Sequence, residues 1–223
     1  MTVIDSCILN SHNTASGQVS AQILLLKEPR DVLMAANRAQ VNWSQQRSQI
    51  IDSYVEPQLA VITDKALQAK LFNQYLGQDF HWNWTNKALA TLNDNQYDWF
   101  FLNHSGQTEG ILVAYHPEQS DLETGNIFYI DYIATAPLNR KMPSITPVYT
   151  GIGKALIESA CKHYNNSLQY KLGFSLHSLP DAESFYKSLG MDEVGKDPKK
   201  QNLVKFEMRM QSCSNFLSTR TAV

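Results

Sequence analysis

The stretch Tyr149-Thr150-Gly151-Ile152-Gly153-Lys154-Ala155-Leu156 limits the fold of this chain more than any other. It sets a Gly-x-Gly turn at the mouth of a helix, expected over 153–164, whose Leu156, Ile157, Ala160, Cys161 and Tyr164 share one apolar face. Glycines let backbone amides approach an anion with no Cβ in the way. A helix N-terminus adds unpaired N–H groups and a partial positive charge. A phosphate or pyrophosphate site is therefore expected at this turn. A helix simply entered through glycines is the plain alternative. Two other phosphate motifs fail. A Walker A loop needs glycine at 148 and Ser or Thr at 155, which are Val148 and Ala155. A Rossmann fingerprint needs a third glycine at 156, which is Leu156.

Around this turn the periodicity spells out a sheet. Strands are expected at 99–102 and 110–115, joined through Ser105-Gly106, and at 127–135, which is rich in β-branched and aromatic residues and ends at Pro137. A short apolar strand follows at 172–176, a helix at 181–189 between Pro180 and Gly190, and an alternating strand at 203–210. Strand, strand, strand, helix, strand, helix, strand describes a mixed sheet with helices on its faces. The first half is less regular. Residues 1–18 read as a flexible tail and 19–27 as a strand. A helix is expected at 31–41 capped by Asp31, then helices interrupted around Pro57, then a helix at 85–92 capped by Thr85. Residues 211–223 read as a C-terminal tail. The span 19–210 is expected to form a single domain.

Composition narrows the function class. The net charge is −2, so no basic surface is advertised, and a nucleic-acid partner is not expected. Cys7, Cys161 and Cys213 lie far apart with no metal-ligand spacing, so neither a disulfide framework nor a metal site is expected. Such usage fits a reducing compartment. No apolar run is long enough to span a bilayer and no leader is visible, so the expected location is cytoplasmic, with no membrane partner.

Three pieces together resemble the GNAT superfamily of acyl-CoA N-acyltransferases. Asp131-Tyr132-Ile133-Ala134-Thr135-Ala136-Pro137 is similar to the family's strand end. Val148-Tyr149-Thr150-Gly151-Ile152-Gly153 is similar to its phosphate turn. Ala182-Glu183-Ser184-Phe185-Tyr186-Lys187-Ser188-Leu189-Gly190-Met191 is similar to its A-x-x-F-Y helix. The match covers about residues 98–210. Val148 stands where the family has Arg or Gln, and about ten residues separate Arg140 from Gly151. That extended loop, with Leu176-His177-Ser178-Leu179-Pro180, resembles a bacterial GNAT subgroup.

The resemblance implies an α/β (α+β) fold with a mostly antiparallel twisted sheet and helices on both faces. In it, 19–97 would form the substrate side and 98–210 the acyl-CoA-binding core. It implies acetyl-CoA as co-substrate and a small-molecule or peptide amine as acceptor, with a homodimer left open. Ile133, Ala134 and Thr135 would offer backbone to the pantetheine arm, and Tyr149 to Lys154 would hold the pyrophosphate. Tyr186 would protonate the leaving thiolate, or pack as an ordinary helix tyrosine. Asp131 would accept the amine proton, or serve as a structural partner. His177 could act as base in its neutral form, or cap a neighbouring element. Phe80, Trp82 and Trp84 could wall the acceptor pocket, or belong to the core. A non-catalytic acyl-CoA-binding or interaction module on the same fold is the competing reading.

Overall fold

The computed structural model of the chain describes residues 2–218. Nine strands form one sheet: β1 (Thr2–Ser11), β2 (Gln18–Leu26), β3 (Tyr97–His104), β4 (Gln107–Gln119), β5 (Asn126–Thr135), β6 (Tyr149–Thr150), β7 (Phe174–Ser178), β8 (Asp192–Asp197) and β9 (Leu203–Met208). Their order is β6-β1-β2-β3-β4-β5-β7-β9-β8. Every neighbouring pair is antiparallel except β5 and β7. The helices are α1 (Pro29–Ile50), α2 (Glu56–Leu59), α3 (Lys65–Leu76), α4 (Trp84–Thr91), α5 (Ile152–Leu168), α6 (Glu183–Ser188) and α7 (Met210–Ser218). No helix among the described residues is long and apolar enough to cross a membrane.

The two-residue alternation of the central strands builds a core on each face of the sheet. Phe100, Leu102, Leu112 and Ala114 pack with the apolar stripe of α5. Trp99, Phe101, Ile111 and Val113 pack with Val32, Ala36, Ala39 and Trp43 of α1 and with Trp84 and Ala88 of α4. Trp43 is fully buried, and its indole N–H donates to the Thr108 carbonyl at 2.8 Å. The tight turn between β3 and β4 carries Ser105 and Gly106 at φ 48 and 77, the left-handed pair that matches strand twist in a two-residue hairpin.

Both expected tails prove structured. Residues 2–11 form β1, paired with β2 from Thr2↔Leu25 to Asn10↔Gln18, with Leu9 fully buried. The Ser and Asn content had masked Ile4, Cys7 and Leu9, which pack against the core. At the other end, α7 buries Cys213 and Phe216, while 219–223 lie outside the described residues. The helix expected at 31–41 runs from Pro29 to Ile50, and Glu28 rather than Asp31 is its N-cap. Proline at the first position costs nothing, because that N–H would be unpaired anyway. The helix widens into a π turn at Ile51–Val55 just before Pro57, where the proline ring would collide with a carbonyl one turn back. Thr85 is not the cap of α4. Asn83 is, and its side chain accepts from the Asn86 amide at 2.9 Å.

Gly110 on β4 is where α5 touches the sheet. A Cβ there would lie 2.4 Å from Ile152 Cγ2 and 2.9 Å from Leu156 Cδ1. We predict that Gly110→Ala lifts the start of α5 and lowers stability by about 1–3 kcal/mol, the usual cost of overpacking. Urea denaturation checks this, and Ile152→Ala in the same chain should recover part of the loss.

At the opposite end of the sheet a carboxylate is buried beside a lysine, two histidines and a tyrosine. Asp98, 1% exposed, sits 3.0 Å from Lys27 Nζ and 3.2 Å from His116 Nε2, and accepts from Tyr164 Oη at 3.1 Å. Its pKa is lowered: burial acts against ionisation, but bonds from His116 and Lys27 outweigh it. The nearby His163 is lowered by burial. A histidine depressed in the folded state contributes stability above its unfolded pKa and loses it as pH falls. A depressed carboxylate keeps its contribution until pH drops below its unfolded value. Stability should therefore decline first below about pH 6.5 and again below about pH 4. His163→Gln should shrink the first step in thermal unfolding across pH, the remainder coming from His177, which burial also lowers.

Candidate active site

The parallel pairing of β5 with β7 runs Phe128↔Phe174, Tyr129↔Ser175 and Ile130↔Leu176, and stops there. The next residue, Asp131, is an extra one on the β4 side. Val113 pairs with Tyr132 and Ala114 with Ile130, so Asp131 has no opposite number. Such a bulge bends the strand and sharpens its twist. Residues 132–135 stay on β4 while β7 departs, and a wedge opens between them.

Backbone alternation says which groups face the wedge. The Ala136 amide donates to the Glu109 carbonyl, so the main chain of Ala134, two residues back, also turns to β4. Ile133 and Thr135 turn the other way. Of the three expected pantetheine contacts, Ala134 is therefore displaced by this alternation. The Thr135 carbonyl is already taken by Arg140, through Nε at 3.2 Å and Nη2 at 3.0 Å. Free for a ligand arm are the Ile133 groups and the Thr135 amide.

The start of α5 stands at the end of this strand, because Ile152 and Leu156 rest on Gly110 and Gly110 pairs with Thr135. Gly151 caps the helix at φ 90, with no side chain bonding the first turn. A Cβ on Gly151 or Gly153 would meet no atom within 4 Å. The amides of Ile152, Gly153 and Lys154 have no intrahelical acceptor. Open space before unpaired amides at a helix N-terminus suits a diphosphate. Lys154 is exposed at this rim. Tyr149 and Thr150 are engaged otherwise. They pair with Ser11 and Asn10 of β1, and the Tyr149 amide bonds to Asn139 Oδ1 at 3.0 Å. The expected phosphate contact by Tyr149 is thus corrected. That residue anchors the turn, and the open amides begin after it.

The long loop before the turn is folded inward. Arg140 grips Asp79 with Nη1–Oδ1 at 2.6 Å and Nη2–Oδ2 at 2.8 Å. Leu138, Met142 and Ile145 pack with Leu71, Tyr75 and Leu76 of α3. Arg140 therefore tethers the loop and does not point toward the cradle.

Through the wedge runs a cavity of about 900 Å³. Its wall takes Ile133 and Tyr186 from the core on the α5 face, and Trp82 and Tyr132 from the core on the α1 face. The cavity therefore reaches both sides of the sheet. Asp131, Ile133, His177 and Tyr186 line this one cavity. Asp131 has a raised pKa, chiefly from burial, with Lys200 and Lys87 acting against it. Tyr186 is 6% exposed, and burial holds its phenol well above the usual tyrosine range. His177 has a hydrogen-bond partner at Nδ1, with Asp197 near its other nitrogen. Nδ1 lies 2.8 Å from Tyr129 Oη, and Nε2 lies 3.3 Å from Asp197 Oδ2. Burial lowers its pKa more than Asp197 raises it, which favours the neutral ring.

Of the aromatic cluster 80–84, only Trp82 and its neighbours His81 and Asn83 line the cavity. Trp84 is core, edge-on to Trp43 and Trp99, and Phe80 is half exposed. Residues the sequence reading passed over are Tyr129, Tyr132, Lys87, Asp197 and Lys200. The alternation of 127–135 could have placed Tyr129 beside Asp131. The long-range partners had no local signal. Among the described residues no group of three or more His, Cys, Asp or Glu could hold a metal.

Residues 148–212 match the family model described as Acetyltransferase (GNAT) domain. No curated protein sequence matches the chain. Similar solved structures include the PaiA N-acetyltransferase from Thermoplasma acidophilum in complex with coenzyme A, 13% identical, with 84% of this chain and 98% of that one covered and a TM-score of 0.44. Another is a GCN5-related N-acetyltransferase from Ralstonia eutropha JMP134, 15% identical over 79% and 95% of the two chains, at 0.43. A third is FdhC in its apo form, described as a nucleotide-linked sugar GNAT, 10% identical over 98% of both chains, at 0.48. What defines the fold here is the sheet order and the wedge themselves.

Proposed function

We propose, taking the GNAT acetyltransferase segment at 148–212 as premise, that this chain moves an acetyl group from acetyl-CoA to a primary amine by direct attack in a ternary complex. The observation that carries this reading is the cavity passing through the sheet at Asp131, with a glycine-opened helix N-terminus at the end of the same strand. A thioester entering along Ile133 and Thr135, with its diphosphate on the amides of 152–154, brings its carbonyl to the bulge. The amine arrives from the α4 side. One site thus takes two substrates from opposite faces, which suits direct transfer.

In this reading the amine nitrogen bonds to the acyl carbon and the carbon–sulfur bond breaks. Asp131 takes the proton the amine sheds, directly or through one water. Its raised pKa makes it a stronger base than an ordinary aspartate. Tyr186 gives its phenolic proton to the departing thiolate and recovers one from solvent. The same burial that raises its pKa keeps it protonated across the working range. His177 acts through Tyr129, fixing that hydroxyl in the cavity wall with Asp197 behind it. His177 is thereby a positioning residue rather than the base.

Thiol release from acetyl-CoA against an amine panel tests the reading. Tyr186→Phe should lower kcat by about 10²-fold or more while CoA affinity by calorimetry stays within about twofold. A binding module would take up CoA and show no turnover for either chain. For the wild type, kcat should fall toward acid pH as Asp131 becomes protonated, at a pH above that of an ordinary aspartate. Asp131→Asn should abolish that limb of the profile and leave a slow, flatter rate.

A further inference from the structure

The cavity carries cations where an amine must dock. Lys87, Lys199 and Lys200 line it against Asp94 and Asp131. A polyamine or other multiply charged amine would enter against this balance. Lys87 is the unusual member. Its Nζ lies 3.2 Å from the Tyr132 ring centroid and 4.7 Å from that of Trp82. Trp82 and Tyr132 meet edge to face at 5.0 Å and form a wall that fixes the lysine stem. Burial is the largest influence on Lys87 and lowers its pKa to about 8, outweighing the more distant pull of Asp131 and Asp79. The site thus holds a partly desolvated ammonium whose close contacts are aromatic faces. An anion placed there would gain a charge-assisted bond in a low-dielectric setting. Lys200, 3.9 Å from Asp131, stands on the opposite rim over Tyr129. Asn83 and Asn86 add neutral polar side chains to the same wall.

We infer that the acceptor is a primary amine that also bears an anionic group, a carboxylate or a phosphate, seated on Lys87 against Trp82 and Tyr132 while its amine faces Asp131. The inference rests on the acyl-transfer reading above and deepens it. The lysine supplies the anion contact, the aromatic pair holds the lysine in place, and the aspartate attracts the ammonium end. An acceptor with both charges matches both ends of the site. An amine without the anion leaves Lys87 unpaired and is disfavoured.

The test compares each anionic amine with its neutral counterpart. β-Alanine is set against β-alaninamide and phosphoethanolamine against ethanolamine, with spermidine as the multiply cationic amine. The expected result is kcat/KM higher by roughly tenfold or more for at least one anionic member over its partner, carried mainly by KM. Which pair shows it separates carboxylate from phosphate. Lys87→Met should bring the ratio close to one, and Lys87→Arg should keep most of it. A ratio near one in the wild type, a preference for spermidine, or a ratio unchanged in Lys87→Met overturns the inference. A second arm reads binding without turnover. Tryptophan emission is titrated with β-alanine and with phosphoethanolamine, using Trp82→Phe to identify the reporting ring. Saturable quenching that needs Lys87 supports the anion seat, and its absence with both probes overturns it. Failure of the acyl-transfer reading would show separately, as no thiol release from acetyl-CoA with any of these amines, whether or not calorimetry shows CoA binding.

Discussion

The parting of β5 from β7 at Asp131 is the event on which the rest of the site depends. A single unmatched residue on the β4 side ends a parallel pairing and leaves main-chain groups of Ile133 and Thr135 facing a gap. In a closed sheet those groups would be spent on a neighbouring strand, and side chains from the two faces could not share a cavity. Because the sheet opens there, Tyr186 on one side and Lys87 on the other line a common space. The bulge also sets an acidic side chain at the opening, where burial raises its pKa. Backbone geometry and acid–base chemistry thus have one origin.

The opening is braced from outside the strand. Arg140 ties the Thr135 carbonyl to Asp79 and to the Leu76 carbonyl, joining the strand end to the close of α3. Asn139 spans the Glu109 side chain and the Tyr149 amide. The long loop, puzzling as sequence, is therefore scaffolding. Its apolar residues pack on Leu71, Tyr75 and Leu76 of α3, and its polar ones hold the strand end and the glycine turn at a fixed distance. Arg140, turned to Asp79, does not reach the glycine turn. What that turn offers an anion is main-chain amides and the helix N-terminus.

Much of this was legible in the residues. The Gly-x-Gly helix start, the strand ending at Pro137 and the buried Tyr186 all rest on local patterns, and local patterns survive into the structure. What escaped was non-local or compositional. Residues 1–18 looked polar because their Ser, Asn and Thr hid the inward-facing Ile4, Cys7 and Leu9. Thr85 looked like a cap because threonine caps often, but Asn83 two residues earlier captures the amide. Tyr149 looked like a phosphate ligand because it sits in the motif, and only the arrival of Asn139 from the preceding loop shows its amide taken. The lysine on its aromatic wall joins α4 to β5, a contact without a sequence period.

The pairing of β6 with β1 has a consequence for how the molecule comes together. Asn10 and Ser11 bond to Thr150 and Tyr149, residues more than half the chain away. The outer edge of the first strand stays unfinished until the Gly-x-Gly segment has been made. Contacts so remote in sequence require a long stretch of chain to be ordered before they reward it. The mouth of α5 is thus built from the beginning and the later part of the polypeptide at once, and it closes that edge of the sheet.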